Sequence, residues 1–215
     1  YEITQYIDSD KINKNNISQL DKVWEYKTSD NLKNSQIQTN PLIIDEKFYG
    51  VSPKLKLFSL DAKSGSEIWV FDPFQNDIKY FDNNDTSLNV CRGITYYEDI
   101  HDNSYIFYGV SSKLFKVNSK NGEPDLSFGD NGFIDLHTGL GENSSSLFVS
   151  MTSPGVIFNN LIILGSSVSE GNPAAKGNIR AFNANNGDLV WIFNTIPEIG
   201  EDGYETYEDP NAYKR

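Results

Sequence analysis

Two short stretches carry side chains whose types and spacing can do chemistry. In Asn89–Tyr97, NVCRGITYY, the arginine Arg92 stands at the start of an apolar run. A guanidinium there can point into a channel and bind an anion through two parallel N–H bonds. The other reading is a structural arginine paired with a neighbouring carboxylate. In Leu161–Gly171, LIILGSSVSEG, an apolar strand runs into small residues and then a single carboxylate, Glu170. Small side chains let a flat ligand approach the backbone, and a glutamate at a rim can hold a hard cation. The other reading is a serine-rich loop with a solvated glutamate.

Other chemistries find little support. His101 and His137, the only histidines, sit in polar contexts without a second histidine at ligand spacing. That argues against a His-based metal centre and against a Ser-His-Asp triad. Gly139 and Gly141 lack the Lys-Ser/Thr or the helix of a phosphate loop. The acidic run Glu198–Asp209 reads as a solvated loop, with a metal-binding loop as the alternative.

The elements that must position Arg92 and Glu170 announce themselves by repetition. Leu57–Pro73, LFSLDAKSGSEIWVFDP, recurs as Ile179–Thr195, IRAFNANNGDLVWIFNT. Each has an apolar alternation, a polar turn closed by glycine, and a tryptophan four residues on: Gly65 with Trp69, Gly187 with Trp191. A worn copy, LFKVNSKNG, lies at Leu114–Gly122, with Phe128 after it and no tryptophan. Each copy reads as a hairpin whose tryptophan fills the space between stacked sheets. Flanking runs complete four-strand units over about 39–73, 90–135 and 150–195. Their glycines recur at 57 and then 65 residues. The expected class is all-β, a partial β-propeller of about three blades, residues 1–215 forming part of one propeller domain. An opening strand is expected within 12–30, around Val23–Tyr26. Propellers close at roughly 4–8 blades, so the chain is expected to be a piece of a longer protein.

The net charge of −12, from 18 basic and 30 acidic residues, speaks against nucleic acid or an anionic membrane as partner. A single cysteine, Cys91, excludes an internal disulfide. No apolar window reaches the length of a membrane span, so any membrane attachment is expected from segments not present here.

Together, LFSLDAKSGSEIWVFDP, CRGITYY, FGDNG and GSSVSEG followed by GNIRAFNANNGDLVW resemble the PQQ-dependent quinoprotein dehydrogenases. The resemblance runs from about Ile12 to Asn211. CRGITYY and LSFGDNGFIDL are similar to the glucose dehydrogenase-like branch. The resemblance implies an eight-bladed propeller with PQQ and a divalent cation, calcium or magnesium, on its axis. It implies that Arg92 contacts the quinone, that Thr152 contacts PQQ, and that Ser167, Val168 and Ser169 lie beside it. Glu170 would be the metal ligand, and Tyr213 lies where the family often places a stacking tryptophan. Gly171 stands where the glucose branch often carries asparagine. Thr86 and Ser87 replace the adjacent cysteines of the alcohol branch, and Leu88 stands where some glucose-type members have histidine.

The function implied by the resemblance is oxidation of a sugar or polyol hydroxyl, of glucose or quinate type, by hydride transfer to PQQ. Electrons would pass to ubiquinone or a cytochrome in a bacterial periplasm. A general base and a lysine are expected beyond residue 215, leaving this chain alone inactive. Two alternatives stand: a non-catalytic propeller of the same repeat that binds proteins, and a PQQ alcohol dehydrogenase.

Overall fold

The computed structural model of the chain describes residues 10–75, 80–81 and 90–211. Apolar alternation folds into three four-stranded antiparallel sheets, each a meander in chain order. The first joins β1 (Leu42–Ile44), β2 (Lys47–Val51), β3 (Leu57–Asp61) and β4 (Glu67–Phe71). The second joins β5 (Thr95–Glu98), β6 (Ser104–Val110), β7 (Lys113–Asn118) and β8 (Phe133–Asp135). After β9 (Val149–Ser150) come β10 (Val156–Phe158), β11 (Leu161–Leu164), β12 (Ser167–Val168), β13 (Ile179–Asn183) and β14 (Leu189–Phe193). Strands β10, β11, β13 and β14 form the third sheet, and β9 pairs with β12 in a small ribbon. These are three propeller blades, as the repeat predicts. Among the described residues no helix is long and apolar enough to cross a membrane.

The blades stack face to face, and the period-2 alternation of β6 shows how. Ile106, Tyr108 and Val110 join Val51, Leu57 and Phe71 in one core between blades 1 and 2. Phe107, between them in sequence, joins Phe128, Ile162 and Phe182 in a second core between blades 2 and 3. Blade 2 is therefore apolar on both faces.

All three glycine turns are built alike. Gly65, Gly122 and Gly187 sit at φ of 70°, 77° and 83°. Their N–H groups donate to the carbonyls of Asp61, Asn118 and Asn183, at 2.8, 2.9 and 2.8 Å. The side chains of the same three residues accept from backbone N–H groups inside the turn. Tryptophan locks the turns to the neighbouring blade. Trp69 lies on Gly122 and donates its indole N–H to Ser119 O at 3.1 Å. Trp24 repeats the contact on Gly65, donating to Ala62 O at 3.0 Å.

Two differences from the sequence reading are informative. Val23–Tyr26 forms no strand. This segment is held by its side chains: the Trp24 indole, and Tyr26, which bonds Glu67 and packs on Phe58. The worn middle repeat also has a substitute lock. Lys116 donates to Asn185 O at 3.1 Å, and Gly129 N–H donates to Asn186 O at 2.9 Å. The Lys116 ammonium is buried, pairs with Asp125 at 2.8 Å and lies 4.0 Å from the centre of the Tyr105 ring.

A Cβ on Gly122 would lie 2.6 Å from the Trp69 ring. Gly122→Ala is expected to cost about 2–4 kcal/mol, from strain at positive φ and displacement of the indole. Gly141→Ala, at φ 102° with open space around it, should cost less; urea denaturation of both variants checks this. Burial pushes the Asp125 carboxyl up, but hydrogen bonds from Lys116 and Ser127 outweigh it and hold the group below the usual range. A carboxyl depressed by folding stabilises above its unfolded pKa and loses that contribution as pH falls through the folded value. Stability should therefore drop below about pH 4. Asp125→Asn should flatten that drop and cost about 3–5 kcal/mol at neutral pH, read from melting curves across pH.

Candidate functional site

Backbone hydrogen bonds tie the lead-ins of successive first strands together. Asn40 N–H donates to Arg92 O at 3.0 Å, and Arg92 N–H donates to Thr152 O at 2.7 Å. Thr95 Oγ1 adds a bond to Gly155 O at 2.6 Å. This close approach needs Gly93, where a Cβ would meet the Pro154 ring at 2.9 Å. Residues 40, 92 and 152, far apart in sequence, thus become neighbours along one edge of the blade stack.

Arg92 precedes its strand rather than opening it, and its side chain is exposed. The guanidinium Nη1 donates to Thr152 Oγ1 at 2.8 Å. Among the described residues no carboxylate lies within ion-pair distance of it. Thr152 continues directly from the β9–β12 ribbon, whose register sets Ser167 opposite Ser150 and Val168 opposite Val149. The ribbon sets the segment that follows β9 beside the segment that precedes β12. Between them lies a cleft of about 320 Å³ lined by Thr152, Ser153, Pro154, Gly165, Ser166 and Ser167.

The predicted site residues separate accordingly. Thr152 and Ser167 line the cleft, and Arg92 reaches its edge through the bond to Thr152. Val168 packs toward the core between blades 2 and 3, and Ser169 is half-buried beyond it. Glu170 is exposed, just past the ribbon. Among the described residues no group of three or more His, Cys, Asp and Glu side chains is arranged to hold a metal ion. A hard cation takes 6–8 oxygens, so Glu170 supplies at most a small share of such a set. Tyr213, Thr86, Ser87 and Leu88 lie outside the described residues.

The sequence reading missed Ser166 and the group behind it. Arg180 on β13 is fully buried. Its Nη2 donates to Ser166 Oγ at 2.6 Å, and its Nη1 donates to Leu136 O and to Thr138 O. Its Nε finds no partner among the described residues. Burial lowers its pKa to about 10, against the raising effect of Asp135, so it is charged at neutral pH. A signal was present: in the aligned repeats, Arg180 stands where the other copies have Phe58 and Phe115.

A cleft edged by a guanidinium that no carboxylate among the described residues pairs, with hydroxyls around it and a buried cation beneath one of them, suits an anionic, carbonyl-rich ligand. The comparisons with known proteins point the same way. Residues 1–215 match the family model described as PQQ: glucose/ethanol/alcohol dehydrogenase, β-propeller domain. The chain belongs to this PQQ dehydrogenase propeller family. It is 26% identical to quinate/shikimate dehydrogenase (quinone) of Acinetobacter baylyi, over 88% of this chain and 26% of that protein. It is likewise 26% identical to quinoprotein glucose dehydrogenase of Escherichia coli, over 94% of this chain and 28% of that protein. The chain thus spans about a quarter of the length of these curated relatives. Among solved structures, a europium-containing methanol dehydrogenase superposes with a TM-score of 0.58 at 18% identity, over 87% of this chain and 29% of that one. Quinohemoprotein alcohol dehydrogenase of Comamonas testosteroni gives 0.57 at 17% identity, over 76% of this chain and 22% of that one. At these identities the likeness is one of fold.

The Arg92–Thr152 side-chain bond is exposed, and such bonds contribute little to stability. Thr152→Val, which keeps the volume and removes the acceptor, should change the unfolding free energy by less than about 1 kcal/mol, measured by denaturation. A larger loss would make the bond a structural one.

Proposed function

We propose that the chain forms the Arg92 side of the PQQ site in a dehydrogenase that oxidises a sugar or polyol hydroxyl. The observation that carries this reading is the Arg92–Thr152 hydrogen bond at the rim of a hydroxyl-lined cleft, with no carboxylate among the described residues paired to the guanidinium. The relatives' names, quinate/shikimate dehydrogenase (quinone) and glucose dehydrogenase, support the sugar or polyol class and a quinone acceptor. The same reading makes the whole protein longer than this chain, and periplasmic.

When bound, PQQ supplies the two-electron oxidant that takes hydride from the carbinol carbon. The chain's own residues bind and orient. Arg92 offers N–H donors to carboxylate or carbonyl oxygens, and its charge favours electron density developing there. Thr152 fixes the guanidinium by accepting from Nη1. Gly165, Ser166 and Ser167 present little bulk, which lets a planar ring lie against the backbone. The base that removes the hydroxyl proton belongs to chain beyond residue 215. Glu170 would offer its carboxylate to a cation, whose other ligands would come from outside the described residues.

PQQ titration of the whole protein, with and without calcium, tests this. Arg92→Leu should weaken PQQ binding roughly 10- to 100-fold. Glu170→Ala should remove the calcium dependence. A well-folded wild type that binds no PQQ would overturn the reading.

A further inference from the structure

The buried arginine behind the cleft stands where the other two repeats carry an aromatic ring. The three repeats superpose as LFSLD, LFKVN and IRAFN, and Arg180 occupies the position of Phe58 and Phe115. Those two phenylalanines are buried, and the fold is content with an aromatic ring there. Exchanging it for a fully buried guanidinium strips a charge of water, an unfavourable step unless the charge is paired. Here the acceptors are neutral: two backbone carbonyls at Leu136 and Thr138, and the Ser166 hydroxyl. Nε stays unpartnered among the described residues. Asp135 is close enough to favour the charged form without bonding it among the described residues; its carboxylate instead takes His137 at 2.6 Å. A hydrophobic side chain of similar volume would serve packing at least as well.

What the guanidinium does that phenylalanine cannot is hold Ser166. That residue follows Gly165, after β11 has ended, where no ladder fixes the backbone until Ser167. Gly165, Ser166 and Ser167 together form one wall of the cleft, opposite Thr152. The bond from Arg180 Nη2 anchors this wall to β13, and the bonds from Nη1 anchor β13 to the segment following β8 of blade 2. The same group sets a positive charge behind the wall, on the side of the cleft away from Arg92.

We propose that Arg180 is a positioning residue of the cofactor cleft, holding Ser166 in place and presenting positive charge behind it to an anionic planar ligand. This rests on the reading of the cleft as a PQQ site. Arg180 need not touch the ligand; it acts through Ser166 and through its field.

The test uses the repeat's own alternative. Arg180→Phe, Ser166→Ala and the double variant are made in the whole protein and purified without PQQ. PQQ is titrated by quenching of tryptophan fluorescence, and each apo protein is melted. Arg180→Phe should lower the melting temperature, because the Leu136 and Thr138 carbonyls lose their donor, and should also raise the Kd for PQQ about tenfold. Ser166→Ala should raise Kd by a smaller factor. The double variant should be no weaker than Arg180→Phe alone, because both changes break one connection. Arg180→Lys, which keeps the charge but not the fork, should recover part of the affinity. An Arg180→Phe protein that melts lower but binds PQQ like wild type would make Arg180 a brace only, and would overturn the proposal. If Arg180→Phe does not fold, unchanged Kd in both Ser166→Ala and Arg180→Lys overturns it instead. A folded wild type that binds no PQQ fails the functional reading itself and takes this assignment with it.

Discussion

Everything in this structure depends on sheets packing by both faces. A twisted four-stranded sheet with alternating apolar residues has two surfaces to cover, and blade 2 covers them with blades 1 and 3. Such packing leaves one freedom, the sliding of one sheet over the next, and the glycine turns remove it. An indole laid on a glycine, with its N–H on a nearby carbonyl, fixes both distance and direction. The glycine is required twice over, for a positive φ and for the absence of a Cβ beneath the ring. Between blades 2 and 3 the same task falls to the Lys116 ammonium and the Gly129 amide.

The site inherits its geometry from that stacking. Asn40, Arg92 and Thr152 are joined by backbone bonds because their blades are held at a set spacing. Chemistry is thereby separated from the cores: apolar residues fill the space between blades, while one edge of the stack collects a guanidinium, hydroxyls and glycine-lined backbone. Arg180, like Lys116, is a charge buried between blades. Its hydrogen bonds run from blade 2 to the wall of the cleft, connecting the packing of the stack to the site at its edge.

Much of this was legible in the sequence. The three four-strand units follow from alternation and turn chemistry, although the outer strand of the second, β8, is only weakly signalled, and the apolar run that opens at Arg92 becomes a strand only from Thr95. Val23–Tyr26 reads as a strand because VWEY has strand composition, yet its hold on the protein comes from the Trp24 and Tyr26 side chains. The β9–β12 ribbon gave no signal, since two-residue pairings between segments some seventeen residues apart have no periodicity to read.

By itself the sequence determined the repeat, the positions of the glycine turns and the tryptophans, and the family resemblance carried by Arg92, Thr152 and the stretch from Ser167 to Glu170. Those features are local, written in periods of two residues and in turns that close within five. The tertiary structure alone decided which of these residues meet. It bonds Arg92 to Thr152 across sixty residues, sets Ser167 on the cleft while turning Val168 to the core, and leaves Glu170 in solvent. It also buries Arg180 against Ser166. Contacts of that kind depend on the register between blades, which is fixed by packing over the whole sheet face rather than by any one segment of chain.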